Sequence, residues 1–317
     1  MATFADAPTL SGDGDRPLTS IEAFERDYAA HRRRARMTFW IGLAIFAALF
    51  SWTTWFSGFF DVRMVTLEDG SRAERWVIAA GLDKLDDYIR DTIPTLRWES
   101  LWADLGNWFW GLERWMWLLV ETILIAFMAT VLGVIGGFIL SFPASRNLAP
   151  NAFVFHLCRR YLEIARTVPE LVWALIFVFC FGVGPLAGVL AIGLHATGAL
   201  GKLYSEVNEN IDMRPLEGVK AAGGTWFDQI RYAAVPQVLP NIISYTLLRF
   251  EINVRASSII GWVGAGGLGQ EFRTAMTLQE HTDLSALFVI VFLTVFIIDY
   301  LSEKLRHRII GLEERTV

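Results

Sequence analysis

Charged residues and cysteine are both scarce in this sequence of 317 residues. Only 19% of the residues are charged, against about 25% in an ordinary soluble domain. The two cysteines, Cys158 and Cys180, form no spacing motif, which argues against a disulfide framework or a metal site. A net charge of −5 argues against nucleic acid as a partner. No phosphate-binding loop, metal-ligand cluster or nucleophile motif is present, so the sequence predicts neither catalysis nor a directly bound cofactor or metal.

Apolar residues dominate instead and make up 54% of the chain. Several stretches approach or exceed the roughly 20 apolar residues needed to cross a bilayer. The pattern predicts an all-α polytopic membrane protein with six transmembrane helices. Basic clusters at residues 32–36, 146–160 and 304–308 place both termini in the cytoplasm by the positive-inside rule. The predicted spans are residues 38–60, 115–142, 169–183, 185–200, 241–263 and 284–301.

The predicted topology divides the chain into five segments, and the core segment holds five of the six spans. Residues 61–114, between the first span and the core, are dense in tryptophan, which prefers the headgroup level. Helices lying along the outer interface are therefore predicted there, with an aromatic ligand site as the alternative. The segments are a cytoplasmic tail (1–37, its opening expected to be disordered), the first span (38–60), a periplasmic or interfacial segment (61–114), the transmembrane core (115–301) and a cytoplasmic tail (302–317).

Small residues indicate where helices approach closely. Ala129, Gly133 and Gly137 recur every four residues in the second span, which predicts a face that another helix can pack against. The fourth span, 185–200, is rich in Gly and Ala and is expected to be buried among other helices. His195 within it is interpreted as a packed histidine rather than a proton relay.

A polar stretch, residues 216–240, interrupts the apolar segments. Gly223-Gly224 breaks its helical pattern in the middle, and Pro236 and Pro240 are expected to end it. The pattern predicts two short helices joined by a sharp turn at a membrane face. Such a turn either binds a partner or packs on its own bundle, and periodicity favours neither. The apolar positions at helical spacing are Leu216, Val219, Phe227, Ile230 and Ala234.

The fifth span carries an unusual number of charges. Glu251 and Arg255 lie four residues apart in the order that favours a helical ion pair, which would lock helices together or line a wet pathway. Arg249 has no local partner and is expected to meet an anion or a pathway water, unless it lies near the interface. Arg166 and Glu170 are expected to form a structural ion pair where the third span begins.

A run of glycines follows the fifth span. Gly264, Gly266 and Gly269 match a loose dinucleotide-binding pattern, but no strand precedes them, so that interpretation fails. Glycines at this place permit either a close approach of the backbone or an unwound turn that faces a ligand.

The polar stretch resembles the cytoplasmic loop of ABC importer permeases. Glu217, Gly223 and Pro236 have the spacing of that loop, whereas positions 218, 219, 233 and 235 depart from its pattern. Three further stretches are similar to permeases of phosphonate importers: EIARTVPELVWALIFV at 163–178, AAVPQVLPNIISYTLLR at 233–249 and RFEINVRASSIIGWVGAGGLGQ at 249–270. From about residue 115 to its end, the chain resembles the methionine-importer class of permease.

The resemblance implies a non-enzymatic permease of the bacterial inner membrane that carries a small phosphorus oxyanion, with phosphonate first and phosphite, phosphate or an amino acid as alternatives. It also implies the partners: a second permease copy or close homologue, two ATP-binding subunits that hold ATP-Mg, a periplasmic binding protein, and membrane lipid. The polar stretch would be the loop that couples the permease to the ATPase, through Leu216, Glu217, Val219, Gly223, Gly224, Phe227, Ile230 and Pro236.

The fifth span and its glycine turn would line the translocation pathway. Arg249 and Arg255 would give an anionic substrate a local counter-charge in a passage of low dielectric constant. An ion-coupled secondary transporter is the competing class, but the paired inverted repeats that it predicts are not visible. A membrane anchor or sensor is a second competitor, which the polar fifth span disfavours. The pathway candidates are Arg249, Glu251, Asn253, Arg255, Ser257, Gly264, Gly266 and Gly267.

Overall fold

The computed structural model describes residues 20–58, 60–66 and 72–313. The chain separates into two compact units, residues 1–87 and residues 88–317. The expected disorder at the start of the chain falls on residues 1–19 and lies outside the described residues, as do residues 314–317 of the second tail.

The first unit contains a long helix, a hairpin and the start of a second helix. Helix α1 covers Ser20–Phe56, strands β1 and β2 cover Val62–Thr66 and Arg72–Trp76, and α2 covers Val77–Thr92. The strands are antiparallel, with Val62 opposite Trp76. The hairpin corrects the prediction of helices throughout 61–114, because β-branched and aromatic residues at 62, 65, 66 and 76 favour strands.

Helix α1 contains residues 38–56 of the predicted first span, ends four residues before the predicted boundary at 60, and continues on its N-terminal side without a break. The part that is long and apolar enough to cross a membrane is His31–Phe56, and none of its hydrophobic stretch is buried within the described part of the chain. An apolar helix that leaves its whole surface uncovered by protein is suited to contact with lipid.

The second unit is a helical bundle. Its longest helices are α4, α7, α10 and α12, and shorter helices connect them. A π-helical turn at Ile230–Ala234 joins α9 to α10, and a 3-10 turn at Gly261–Val263 follows α10. The helices are α3 (Leu101–Trp108), α4 (Leu112–Ser141), α5 (Ala152–Thr167), α6 (Glu170–Phe181), α7 (Pro185–Glu209), α8 (Arg214–Ala221), α9 (Trp226–Gln229), α10 (Val235–Ile260), α11 (Gly269–Leu278) and α12 (His281–Glu313).

Among the described residues, four helices are long and apolar enough to cross a membrane: His31–Phe56, Leu112–Ser141, Pro185–Glu209 and His281–Arg308. Helices α5 and α6 give a fifth span if they are counted together, although they meet at an angle of 90°. The predicted third span, 169–183, therefore coincides with α6 alone, and α5 and α6 together form either a broken span or a re-entrant loop. The predicted fifth span lies on α10, which is not among these apolar helices.

Helix α7 is central to the bundle and contacts α4, α5, α6 and α10. A Cβ atom added at Gly133 of α4 would lie 2.6 Å from Cβ of Ala196, and one at Gly137 would lie 2.9 Å from the amide nitrogen of Gly201. The small face predicted on the second span therefore lies against α7. Burial of the Gly- and Ala-rich fourth span is also confirmed, with Ala191 and Ala196 fully buried.

We expect Gly133→Ala to destabilise the bundle. The new methyl group would overlap Ala196, and overpacking of this kind costs about 1–3 kcal/mol. The measurement is the melting temperature of the purified protein in detergent. Gly42→Ala on α1 is the matched control, because a Cβ atom added there meets no atom within 4 Å. Equal melting temperatures for Gly133→Ala and the wild type would contradict the close contact between α4 and α7.

Candidate functional site

The polar stretch forms a helical elbow, residues 214–234, made of α8, a tight turn, α9 and the π-helical turn. Gly223 occupies the turn with φ at +86°, a left-handed conformation that favours glycine. The hydroxyl of Thr225 caps α9 by accepting a hydrogen bond from the backbone N–H of Asp228. The prediction of two short helices joined by a sharp turn is confirmed.

The cap of α9 also affects the acidity of Asp228. The Thr225 hydroxyl and backbone N–H donate to Oδ2 of Asp228 at 2.6 and 2.8 Å, and these bonds lower the pKa of the carboxyl group below its ordinary value. Because the folded pKa is lowered, the stabilisation is present above the ordinary pKa and is lost as pH falls through the lowered one. The elbow therefore keeps its cap at neutral pH.

The two prolines do not end this stretch as expected. Helix α10 begins at Val235, directly after the π-helical turn, and runs to Ile260 with Pro240 inside it. Pro236 lies in the first turn of α10, where the backbone N–H groups have no partner within the helix. The elbow is consequently continuous with α10, and a displacement of one can be passed to the other.

The apolar side chains of the elbow divide between two faces. Leu216 and Ile230 are buried in a cluster with Phe142 and Leu148, which follow α4. Phe227, predicted to share their stripe, lies on the other face and is 75% exposed. The predicted stripe is wrong at Phe227, because the four-residue helix α9 passes directly into the π-helical turn and the α-helical spacing of three residues does not put Phe227 on the face of Ile230.

Trp226 fastens the elbow to the end of α4. Its indole N–H donates to the carbonyl oxygen of Leu148 at 2.6 Å, and its ring packs against the same apolar cluster. Trp226 has no local signal in the sequence, since its partner lies 78 positions away. The elbow thus has one face packed on its own bundle and one open face, whose exposed residues include Glu217, Lys220, Phe227, Arg231 and Tyr232.

The charges of α10 find partners on α12 rather than on α10 itself. Glu251 accepts a hydrogen bond from Arg306 at 2.9 Å, and Arg255 donates to both carboxylate oxygens of Asp299 at 2.9 Å. The predicted Glu251–Arg255 pair is therefore wrong. Each contact with α12 is a charge-assisted hydrogen bond of 2.9 Å, whereas Glu251 and Arg255 form no ion pair with each other.

Two further polar residues of α10, Asn253 and Ser257, bond to α4. The side-chain amide of Asn253 donates to Oγ1 of Thr130 at 2.9 Å, and the hydroxyl of Ser257 donates to the carbonyl oxygen of Thr122 at 3.1 Å. Both residues are buried. In this conformation they hold two helices together, and they would line a pathway only after α10 moved away from α4.

The glycine turn is also closely packed. Gly264, Gly266 and Gly267 all have positive φ angles, between +72° and +90°. The backbone N–H of Gly267 donates to Oε1 of Glu121 at 3.1 Å, and a Cβ atom added at Gly266 would lie 2.9 Å from Cα of Pro185. Of the two interpretations of these glycines, close approach of the backbone describes this conformation.

Unlike Glu251 and Arg255, Arg249 has no ion-pair partner among the described residues. Its side chain makes no hydrogen bond or ion pair with any residue in the described ranges, and its Nε atom is buried. The predicted Arg166–Glu170 pair is wrong, because Oε2 of Glu170 lies 3.4 Å from Nε2 of His195 instead. His195 Nδ1 contacts the carbonyl oxygen of Val168 at 3.1 Å, within the break between α5 and α6.

Comparison with known proteins places this geometry in a family. The profile described as "Binding-protein-dependent transport system inner membrane component" matches residues 129–310, which contain the elbow and the charges of α10. The chain belongs to this family. As a member, it is a multi-pass component of an inner-membrane transport system rather than an enzyme.

Curated relatives support this assignment. The phosphite transport system permease protein PtxC of Stutzerimonas stutzeri is 36% identical over 215 residues, which cover 68% of this chain and 77% of the relative. The phosphate-import permease protein PhnE of Mycolicibacterium smegmatis is 33% identical over 60% of this chain and 36% of its own length. A putative cryptic phosphonate transport system permease protein of Escherichia coli, PhnE2, is 43% identical over 38% of this chain and its whole length.

The fold of this family member also matches solved structures. An inward-facing conformation of the MetNI methionine ABC transporter superposes with a TM-score of 0.53 at 21% identity, covering 63% of this chain and 97% of that one. The predicted fold class, an all-α membrane protein with a methionine-importer-like permease core, is confirmed by this match.

We expect Trp226→Phe to loosen the elbow of this permease-family chain. Phenylalanine keeps most of the apolar contact but loses the hydrogen bond to Leu148, a loss of about 1 kcal/mol. Hydrogen exchange across residues 214–234 should become faster. Trp117→Phe, at an exposed position of α4, serves as the matched control. Unchanged exchange in Trp226→Phe would show that the indole does not anchor the elbow.

Proposed function

We propose that the chain is the permease subunit of an ATP-driven importer that passes a small phosphorus oxyanion, phosphonate first, from a periplasmic binding protein to the cytoplasm. The relatives named for phosphite, phosphate and phosphonate transport support this substrate class. The observation within the chain that carries the proposal is the unpaired guanidinium of Arg249.

An unpaired guanidinium inside a membrane bundle is costly, since its donors lose water without gaining a partner. Arg249 lies just past the middle of α10, a helix that contacts α6 and α7, and its Nε atom is buried without a hydrogen bond. A tetrahedral oxyanion supplies acceptor oxygens in the geometry that a guanidinium binds best. The cost is offset whenever such an anion is present, which is the property that a translocation pathway for that anion requires.

The assembly we propose contains two permease copies, which are identical or closely homologous, and two ATP-binding subunits that hold ATP-Mg. A periplasmic binding protein delivers the anion on the other side, and lipid surrounds the bundle. Both termini and the elbow lie in the cytoplasm in this arrangement. The open face of the elbow supports it, because an exposed phenylalanine among exposed charges is typical of an anchor for a partner's groove.

Movement of the ATPases would reach the pathway through the elbow. Closure of the two ATPases presses on α8 and α9, and the buried contacts of Leu216 and Trp226 pass the displacement to α4. The direct junction at Val235 passes it to α10. Inward-open and outward-open states would then differ by a rigid-body shift of helices. Glu251, Asn253, Arg255, Ser257, Gly264, Gly266 and Gly267 stay pathway candidates for states in which α10 has left its present contacts.

We expect Phe227→Ala to weaken binding of the ATP-binding subunit. Removing an exposed aromatic anchor from a docking face costs about 2 kcal/mol or more in a typical interface. The measurement is co-purification of the two subunits, together with stimulation of ATP hydrolysis by the loaded binding protein. Phe179→Ala is the control, since Phe179 is 91% exposed near the opposite end of the bundle. Full coupling in Phe227→Ala would refute docking through this face.

We expect Arg249→Gln to abolish ATP-driven uptake while the complex still assembles, because only the anion's counter-charge is lost. Uptake into proteoliposomes is measured separately for methylphosphonate, phosphite, phosphate and methionine, and assembly by gel filtration. Arg160→Gln, at an exposed position of α5, is the control. Uptake by the Arg249→Gln variant at the wild-type rate would show that Arg249 is not part of the pathway. If the wild-type complex takes up methionine and none of the three phosphorus oxyanions, the proposed substrate class is wrong.

A further inference from the structure

A small pocket lies on the surface of the second unit, between the loop that follows α4 and the first turns of α5. We call it the basic pocket. Its volume is about 190 Å³. Pockets that enclose drug-sized ligands measure about 300–1,000 Å³, so this one suits a small charged group rather than a larger molecule. The residues that line it are Arg146, Phe155, His156, Arg159, Arg160 and Glu163.

Two of the three arginines in the basic pocket are held in place by carboxylates. Nη1 of Arg159 lies 3.3 Å from Oε1 of Glu209, and its guanidinium carbon lies 5.3 Å from the centre of the Phe155 ring. Nη1 of Arg160 donates to Oε2 of Glu163 at 2.5 Å. These contacts position both guanidinium groups before a ligand arrives, which lowers the entropy that binding costs.

The third arginine, Arg146, has an open side chain. Its backbone N–H donates to Oε1 of Glu209 at 3.1 Å, which fixes the residue at the edge of the basic pocket. Its guanidinium forms no hydrogen bond or ion pair with any residue that the structure describes. Three guanidinium groups therefore meet only two carboxylates, those of Glu163 and Glu209, and the basic pocket carries an excess of positive charge.

An exposed apolar row runs along α5 beside the basic pocket. Phe153, Leu157 and Ile164 lie on one face of the helix, because they are four and seven residues apart, and each is at least 58% exposed. The pocket residues within 156–163 recur at spacings of three and four on the neighbouring face. Leu162, on a third face, is buried against α7. The outer surface of α5 thus presents an apolar row and a basic row side by side.

A phospholipid with an anionic headgroup has chemistry that matches both rows. Its phosphate oxygens accept hydrogen bonds from guanidinium groups in a favourable geometry, and its acyl chains cover apolar surface. A free phosphate ion would match the basic pocket alone and would leave the apolar row uncovered. Stable attachment at a membrane surface takes two such signals, because a single one gives only marginal, reversible binding.

We propose that the basic pocket binds the phosphate group of an anionic phospholipid, whose acyl chains lie along the apolar row of α5. In the proposed arrangement this end of the bundle is cytoplasmic, and the negative potential of the cytoplasmic leaflet attracts basic groups. The loop that carries Arg146 also carries Leu148, the residue to which Trp226 fastens the elbow. Because the basic pocket lies on α5 and not on α10, lipid binding there is separate from the proposed passage of the transported anion.

The test is lipid binding to the full-length protein purified in detergent, measured by native mass spectrometry. Dioleoylphosphatidylglycerol is the anionic probe, and dioleoylphosphatidylcholine has the same chains with a neutral headgroup. Inorganic phosphate is the third probe and represents the free anion. We expect phosphatidylglycerol to bind more tightly than either of the others. Arg146→Gln should weaken its binding on the order of tenfold, because hydrogen bonds between charged groups are lost, whereas Arg146→Lys keeps the charge and should lose less.

Two further variants separate the parts of the site. Arg273→Gln is the matched control, because Arg273 is exposed on α11 and lies outside the basic pocket. It removes the same charge and should leave the affinity for phosphatidylglycerol at the wild-type value. Leu157→Asn interrupts the apolar row, so it should weaken the binding of phosphatidylglycerol and leave that of inorganic phosphate unchanged.

Three results would overturn the proposed lipid site. Equal affinity of the wild type for the two lipids would show that the charge of the headgroup is not recognised, and this comparison needs no variant. An affinity for phosphatidylglycerol that Arg146→Gln leaves unchanged, or that Arg273→Gln lowers equally, would show that the basic pocket is not the binding site. Inorganic phosphate that binds as tightly as phosphatidylglycerol would assign the basic pocket to a free anion.

Discussion

A charged or polar side chain inside a bilayer is stable only when another group pairs with it, and this constraint explains most of the arrangement of α10. Glu251 and Arg255 are paired by α12, and Asn253 is bonded by α4. Each contact joins α10 to another long helix. The polar residues that make α10 a poor membrane span by itself are therefore the ones that attach it to the bundle. Arg249, left unpaired, stands out because its neighbours follow the rule.

The elbow follows from a second constraint, the need to connect a soluble surface to helices that must stay packed. Its inner face is buried against the end of α4, and its last turn continues directly into α10. Its outer face remains open, with Phe227 exposed among charged residues. A segment with this construction can receive a force on one face and pass it to two helices on the other. Close packing of small residues between α4 and α7 would then move these helices as a unit.

Local features could be predicted well from the sequence. The glycine turn of the elbow, the small face of α4 and the burial of α7 all follow from spacing within one segment. The hairpin of β1 and β2 was missed because short strands give a weaker pattern than apolar helices. Phe227 was placed on the wrong face because an α-helical period was assumed where α9 passes into a π-helical turn. Trp226 was not selected, since an indole that bonds to a carbonyl 78 positions away leaves no local signal.

The sequence by itself determined the class of protein, the order of its apolar helices and the position of the elbow, because hydropathy and turn residues act over a few neighbouring positions. Only the tertiary structure decided which charge meets which. Glu170 contacts His195 rather than Arg166, and Arg255 contacts Asp299 rather than Glu251. The reason is physical: a weak i,i+4 pair competes with contacts from facing helices, and only the packing of the bundle settles that competition.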